Sequence, residues 1–250
     1  MPRFFVRQDQ ISDRAITIMG EDAHHIGRSL RMAVGDPLVV CDMQGNEYDC
    51  RVASFDEDRA VSVEIVASRR SENEPPCMIR LFQALPKGDK LDTVIQKAVE
   101  CGVGEIIPFE SERCVVKVRA DGEERKGERR ARIAAEAAKQ CGRSVLVPVH
   151  RTVGFHEMLR MASECELCLF CYEGDGTVPL GKILAGLSER LPSSIAIVVG
   201  SEGGFSIAEA EAARAAGVQM TGLGKRILRT ETASSFVLAC IACATELQGD

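Results

Sequence analysis

Apolar residues fall into two rhythms along this chain, and the change between them comes just beyond residue 70. Upstream, "NEYDCRVASF" and "RAVSVEIVAS" alternate apolar and polar positions, the period-2 signature of half-buried strands, and the charged "DEDR" (56–59) between them reads as a hairpin turn. "DPLVVCD" adds a strand and "QGN" a turn, while "EDAHHIGRSLRMAVGD" reads as a short helical stretch closed by Gly35. A small β-barrel fits these elements over residues 1–70. "RRSENEPP" (69–76), charged, polar and ended by two prolines, reads as a linker.

From residue 77 the chain alternates strands with helices. "CMIRLFQAL", "GEIIPF", "ELCLFCY", "SSIAIVVG" and "VQMTGLG" are strand-like. "KLDTVIQKAVECGV" places Leu91, Val94, Ile95, Ala98 and Val99 on one helical face and stops at Gly102. "RRARIAAEAAKQCGR" is a second helix ending near Gly142, and an apolar helix over Ala233 to Leu247 closes the chain. Such alternation implies an α/β sheet with parallel strands, whose ligands bind beyond the carboxyl ends of the strands. The expectation is therefore two domains, 1–70 and 77–250.

Composition narrows the class. The 250 residues are 45% hydrophobic and 27% charged, ordinary for a globular protein, and the net charge of −6 argues against bulk attraction to nucleic acid without excluding a local basic face. No apolar stretch has the length of a signal peptide core or a membrane helix, so a cytoplasmic protein without a membrane partner is expected. Eleven cysteines, scattered through apolar segments, read as reduced core thiols. Cys165, Cys168 and Cys171 have metal-site spacing, but in a strand positions three apart face opposite sides; Cys240 and Cys243 follow helical core periodicity. No metal is expected.

Chemistry concentrates in two glycine loops. "GSEGGFS" (200–206) follows the strand "SSIAIVVG" and precedes a helix that Ser206 and Glu209 open as a capping box. A nucleophilic Ser201 would need G-x-S-x-G, and the residue two before the serine is Val199. Dinucleotide and P-loop fingerprints are absent as well. Plain tight turns would explain either loop alone. Two from successive strands, the second being "GLGKRILRTETASS" (222–235), could present backbone amides and carbonyls to an adenine and ribose.

"GSEGGFSIAEAEAARAAG" followed by "LGKRILRTETASSFVLACI" resembles the paired C-terminal motifs of the RsmE family, SPOUT-class methyltransferases acting on N3 of a uridine in 16S ribosomal RNA. "KGDKLDTVIQKAVECGVGEIIPFESERC", "RIAAEAAKQCGR", "MPRFFV" and "HHIGRSLRMAVGD" extend the resemblance over nearly the whole chain. The chain departs from the family at Ser201, usually proline, and at Ser29, usually valine.

The resemblance implies an α/β fold: a C-terminal SPOUT trefoil-knot domain behind a small N-terminal PUA-like β-barrel that binds RNA. It also implies S-adenosylmethionine as cofactor, a homodimer, and the 16S rRNA of the small ribosomal subunit, not DNA, as partner. By the same resemblance the cofactor site comprises Gly200, Glu202 and Gly203, then Leu223, Gly224, Ile227, Leu228 and Arg229, with Phe170, Cys171 and Tyr172 as one wall. For the chemistry, Arg229 is expected to stabilise the developing uracil anion and Glu231 or Glu202 to take the N3 proton. RNA contacts are expected from Arg3, Arg7, Arg28 and Arg31, and from Arg113, Lys117 and Arg143; "GEERKGERR" by itself reads as a solvated charge run. A SPOUT enzyme with another target, such as a transfer-RNA ribose or guanine N1, and a non-catalytic assembly factor are the alternatives.

Overall fold

The computed structural model describes residues 1–56, 60–117 and 122–247, and the chain forms two compact units. The first comprises Met1–Glu74 with Ala138–Leu146, and the second takes the rest.

In the first unit, strands β1 (Arg3–Phe5), β2 (Ala15–Met19), β3 (Pro37–Cys41), β4 (Asn46–Phe55) and β5 (Ala60–Arg70) form one sheet in the order β1-β3-β4-β5-β2. Only the β1–β3 pairing is parallel. The alternation seen in the sequence sends Val52, Val61 and Val63 inward with Phe4, Ile16, Ile18, Leu38 and Val40, all essentially buried. Helix α1 (Gly20–His24) runs into a π-turn, His25–Ser29, which buries Ile26 and leaves Arg28 exposed. Most of the expected "DEDR" turn, residues 57–59, lies outside the described residues.

The stretch 69–74 is fastened rather than free. Arg69 and Arg70 end β5, opposite Glu47 and Asn46 of β4. Arg69 donates to Glu47 at 2.8 Å and to Asp49 at 2.5 Å. Glu74 accepts from the Arg143 guanidinium at 2.6 Å and from the Ser144 amide at 2.8 Å. The charges that look like solvated linker in sequence have partners tens of residues away, which local composition cannot reveal.

The second unit is a seven-stranded, wholly parallel sheet in the order β10-β12-β9-β11-β6-β7-β8. Its strands are β6 (Met78–Ala84), β7 (Glu105–Glu110), β8 (Val153–Gly154), β9 (Leu167–Cys171), β10 (Val178–Pro179), β11 (Ser194–Val199) and β12 (Gln219–Gly222). Between them run α2 (Lys90–Glu100), α3 (Glu123–Cys141), α4 (Phe155–Ser163), α5 (Leu180–Leu184) and α6 (Ile207–Ala215), and α7 (Thr230–Thr245) follows β12. Helix α2 buries Leu91, Val94, Ile95, Ala98 and Val99, the face its periodicity marked. It stops where Gly102 adopts φ +85°, a conformation that only glycine enters freely.

Two boundaries correct the sequence reading. Helix α3 starts at Glu123, so "GEERKGERR" makes its first turns; Arg130 is buried there and paired with Glu123 at 3.0 Å. Helix α7 begins at Thr230, not Ala233, because Thr230 is buried as part of its first turn and Arg229 serves as N-cap. Since β12 lies beyond β9 in the sheet while α7 packs on α2 and β11, residues 223–229 must cross the carboxyl ends of β9 and β11. No helix among the described residues is long and apolar enough to cross a membrane.

Candidate functional site

The loop after β11 is held at both ends. Downstream, the Ser206 amide donates to Glu209 Oε2 at 2.9 Å and the Glu209 amide to Ser206 Oγ at 3.2 Å, the capping box its sequence announced. Glu209 Oε1 also accepts the Glu112 amide at 2.8 Å. Phe205 turns inward onto Phe170, with ring centroids 4.3 Å apart, and stacks on Phe109 at 6.3 Å. Upstream, Thr230 Oγ1 donates to the Gly200 carbonyl at 2.6 Å and accepts from Gln83 Nε2 at 2.8 Å. Both glycines sit in tight quarters: a Cβ on Gly200 would lie 3.1 Å from the Phe205 ring, and one on Gly203 would lie 3.0 Å from Arg113 Cβ.

The crossing segment supplies the opposite wall. A Cβ on Gly222 would meet Thr177 Oγ1 at 2.9 Å, and Gly224 holds φ +106°. Between the two loops lies a cavity of about 780 Å³, within the size range of small-molecule sites. Gly200, Glu202 and Gly203 line it from one side and Leu223, Gly224, Ile227, Leu228 and Arg229 from the other, with Cys171 and Tyr172 at the end of β9.

Phe170 is the exception among the residues expected around a cofactor. Adjacent strand residues face opposite sides, and Phe170 is fully buried, backing Phe205 instead of lining the cavity. The Cys168 and Cys171 thiols are each pushed up to about 12 by burial, so both stay protonated. Ser201 is 7% exposed, lines the cavity, and its hydroxyl has no hydrogen-bond partner among the described residues.

Charge gathers on one flank. Glu202 Oε1 accepts from Lys90 Nζ at 2.7 Å and from the Lys87 amide at 3.1 Å. Partial burial pushes the Glu202 carboxyl up, but the bonds from Lys90, from its own amide and from the Lys87 amide outweigh that and hold it below the usual carboxylate range. Lys90 Nζ also lies 3.9 Å from Glu231 Oε2, a buried oxygen without a hydrogen-bond partner among the described residues. Glu231 itself is not part of the cavity wall: Lys90 lines the cavity and Glu231 approaches it from α7. Arg229 is exposed, lines the cavity, and makes no salt bridge among the described residues.

The basic residues expected to meet RNA separate into three groups. Arg28 and Arg31 are exposed on the first unit, where Arg31 adopts φ +52°, and Arg7 is exposed but paired with Asp9 at 3.0 Å. Arg3 and Arg143 are withdrawn: Arg3 donates to Glu47 at 2.7 Å and Arg143 is buried against Glu74, so neither guanidinium is on offer to a phosphate. Arg113 lines the cavity and donates to the Gly203 carbonyl at 3.0 Å, while Lys117 reaches the Ser111 carbonyl at 3.4 Å. Lys90, Thr230 and Gln83 were not singled out from sequence, although "KGDK" and "RTET" contain two of them.

Comparison with known proteins supplies a context for this geometry. Residues 73–242 match the model of an RNA methyltransferase domain and residues 18–65 that of an RNA methyltransferase PUA domain. The chain is 36% identical over its full length, and that of its relative, to ribosomal RNA small subunit methyltransferase E of Bacillus subtilis. It is 32% identical to the protein of that name from Synechocystis, over 98% of this chain and 78% of the other. A crystal structure of the Neisseria gonorrhoeae protein bound to S-adenosyl methionine superposes with a TM-score of 0.83, covering 97% of each chain at 32% identity.

Proposed function

The chain belongs to the ribosomal RNA small subunit methyltransferase E family, and on that premise we propose that it transfers the methyl group of S-adenosylmethionine to N3 of one uridine in 16S rRNA. The observation that carries this reading is the cavity between the two glycine loops, whose backbone-rich walls bear Lys90 and Glu202 on one side and Arg229 on the other. The residues present fit the donor. Leu223, Ile227 and Leu228 offer apolar surface, and the unpartnered Ser201 hydroxyl is a buried polar group in the wall that a polar ligand would satisfy. When bound, S-adenosylmethionine supplies the electrophilic methyl group, so the protein has only to position the base and manage its N3 proton.

Arg229 stabilises the anion that develops on the uracil oxygens, a role supported by its exposure in the wall and its lack of a salt bridge among the described residues. Glu202 is the proton acceptor, since of the two glutamates lining the cavity, Glu173 and Glu202, it is the one paired with Lys90, and its Oε2 takes neither of the bonds that anchor Oε1. Glu231 steadies Lys90 from behind. Arg28 and Arg31 of the PUA-like unit contact RNA phosphate, a role their exposure favours. A crossing of residues 223–229 over β9 and β11 is what a SPOUT trefoil knot requires. The enzyme works in the cytoplasm as a homodimer, a state favoured by the apolar outer row of α7, where Phe236 and Cys240 are half-buried and Cys243 exposed. Calorimetry with S-adenosylmethionine, followed by transfer of its labelled methyl group to small ribosomal subunits, tests the reading. Binding and transfer are expected; no binding would leave a non-catalytic RNA-binding factor.

A further inference from the structure

Lys90 stands at the corner of the cavity with a carboxylate on either side, Glu202 Oε1 at 2.7 Å and Glu231 Oε2 at 3.9 Å. Its side chain is 36% exposed, so the ammonium keeps access to the cavity while held by Glu202. Before any reaction the Lys90–Glu202 pair is neutral as a unit. Removing the N3 proton changes this. If the proton moves to Glu202, that carboxyl becomes neutral and Lys90 loses its partner at the moment the uracil becomes an anion. One ion pair then replaces another across a few ångströms, so the charge of Lys90 is matched before and after the transfer in a partly desolvated site.

We propose that Lys90 is a catalytic residue that exchanges its ion-pair partner during the reaction, from the Glu202 carboxylate to an oxygen of the N3-deprotonated uracil. The inference rests on the function proposed above and deepens it. The N3–H bond breaks, its proton goes to Glu202 and its electron pair stays on N3. That pair forms the nitrogen–carbon bond as the sulfur–methyl bond breaks, the electrons of the latter remaining on sulfur. Solvent then takes the proton from Glu202, and the Lys90–Glu202 pair re-forms. Lys90 gains and loses no proton. Glu231, with a buried oxygen unpartnered, keeps the ammonium in place while Glu202 is neutral.

The alternative is that Lys90 merely anchors the 200–206 loop, and two substrates separate the roles. Lys90→Gln and Lys90→Arg enzymes are assayed on small subunits assembled from ordinary 16S RNA and from RNA transcribed with 5-fluorouridine, whose electron-withdrawing fluorine makes N3–H more acidic. Cofactor affinity is read by calorimetry in parallel. The proposal expects Lys90→Gln to bind cofactor within about two-fold of wild type and to lose about 100-fold in kcat on ordinary RNA. It expects the loss to shrink at least several-fold on the fluorinated RNA, because a more acidic base needs less help, and Lys90→Arg to retain part of the activity. An unchanged kcat, a defect of equal size on both RNAs, or a matching loss of cofactor binding would each overturn it. A wild-type enzyme that makes no 3-methyluridine overturns the underlying function instead, so the two failures are told apart.

Discussion

The Thr230 hydroxyl donates to the Gly200 carbonyl at 2.6 Å while accepting from the buried Gln83 amide at 2.8 Å, so one oxygen ties the carboxyl ends of β6 and β11 to the start of α7. The residues it joins lie 30 and 147 positions from Thr230 in sequence. Thr230→Val keeps the shape and removes both bonds, leaving the Gln83 amide one partner short in a buried site. It should cost about 1–3 kcal/mol in urea denaturation and weaken S-adenosylmethionine binding, whereas Thr230→Ser should keep most of both. A valine variant as stable as wild type would show that the link carries no energy.

Phe205 sets the position of the first glycine loop from beneath. It is 5% exposed and packs on Phe170, Phe109 and Phe155, with Phe170 closest. Phe205→Ala removes a ring from a cluster that cannot fully collapse and should destabilise the second unit by about 3–5 kcal/mol. Phe205→Leu should recover more than half of that. The shift of the denaturation midpoint, with slope unchanged, measures both.

Part of the resistance to acid should rest on Glu47. Its side chain is 3% exposed, and it accepts bonds from Arg3, Arg69 and the Ser71 hydroxyl at 2.7–2.9 Å. Burial pushes its carboxyl up, but the bonds from Arg3 and Ser71 and the attraction of both arginines prevail and hold it below the usual glutamate range. A carboxyl whose folded value lies below its unfolded one, about 4.3, contributes stability that is complete at neutral pH. That contribution is lost as pH falls through the ordinary value toward the folded one. Thermal melts of wild type should therefore fall off below about pH 4.5, more steeply than those of Glu47→Gln, which starts lower and has less to lose. Parallel acid limbs would remove Glu47 from the explanation.

How much of this was legible beforehand follows from the range of each signal. The inward face of α2, the Ser206–Glu209 cap and the loops at 200–206 and 222–229 rest on neighbours within a few residues, and periodicity or turn chemistry exposes such neighbours. Strand alternation shows that Phe170 and Cys171 face opposite ways but not which way each points, so Phe170 was expected in the wall and sits behind it. An arginine read alone is equally a phosphate contact or half of an ion pair. Arg3 and Arg143 proved to be the latter because Glu47 and Glu74 lie 44 and 69 residues away. Lys90 is illegible in the sequence for the same reason: at the start of a helix it reads as a solvated charge until Glu202, 112 residues on, is brought beside it.

That division among the arginines is open to experiment. Reversing the exposed Arg28 and Arg31 to Glu should weaken methylation of small subunits about ten-fold through KM, with melting temperature and cofactor affinity unchanged. Arg143→Ala should do the opposite. It strands Glu74 beside a buried gap and should cost about 3 kcal/mol of stability, while enzyme that remains folded methylates with an ordinary KM. A stable Arg143→Ala protein with a raised KM would return Arg143 to the RNA-contacting set.

The identity of the product decides whether this chain methylates uracil N3. Small ribosomal subunits from a strain lacking this protein, incubated with the pure protein and S-adenosylmethionine and then digested to nucleosides, should yield one new modified nucleoside, 3-methyluridine, about one per subunit. A 2′-O-methylated or guanine-methylated nucleoside in its place, or no new nucleoside from subunits and cofactor in excess, would contradict the account.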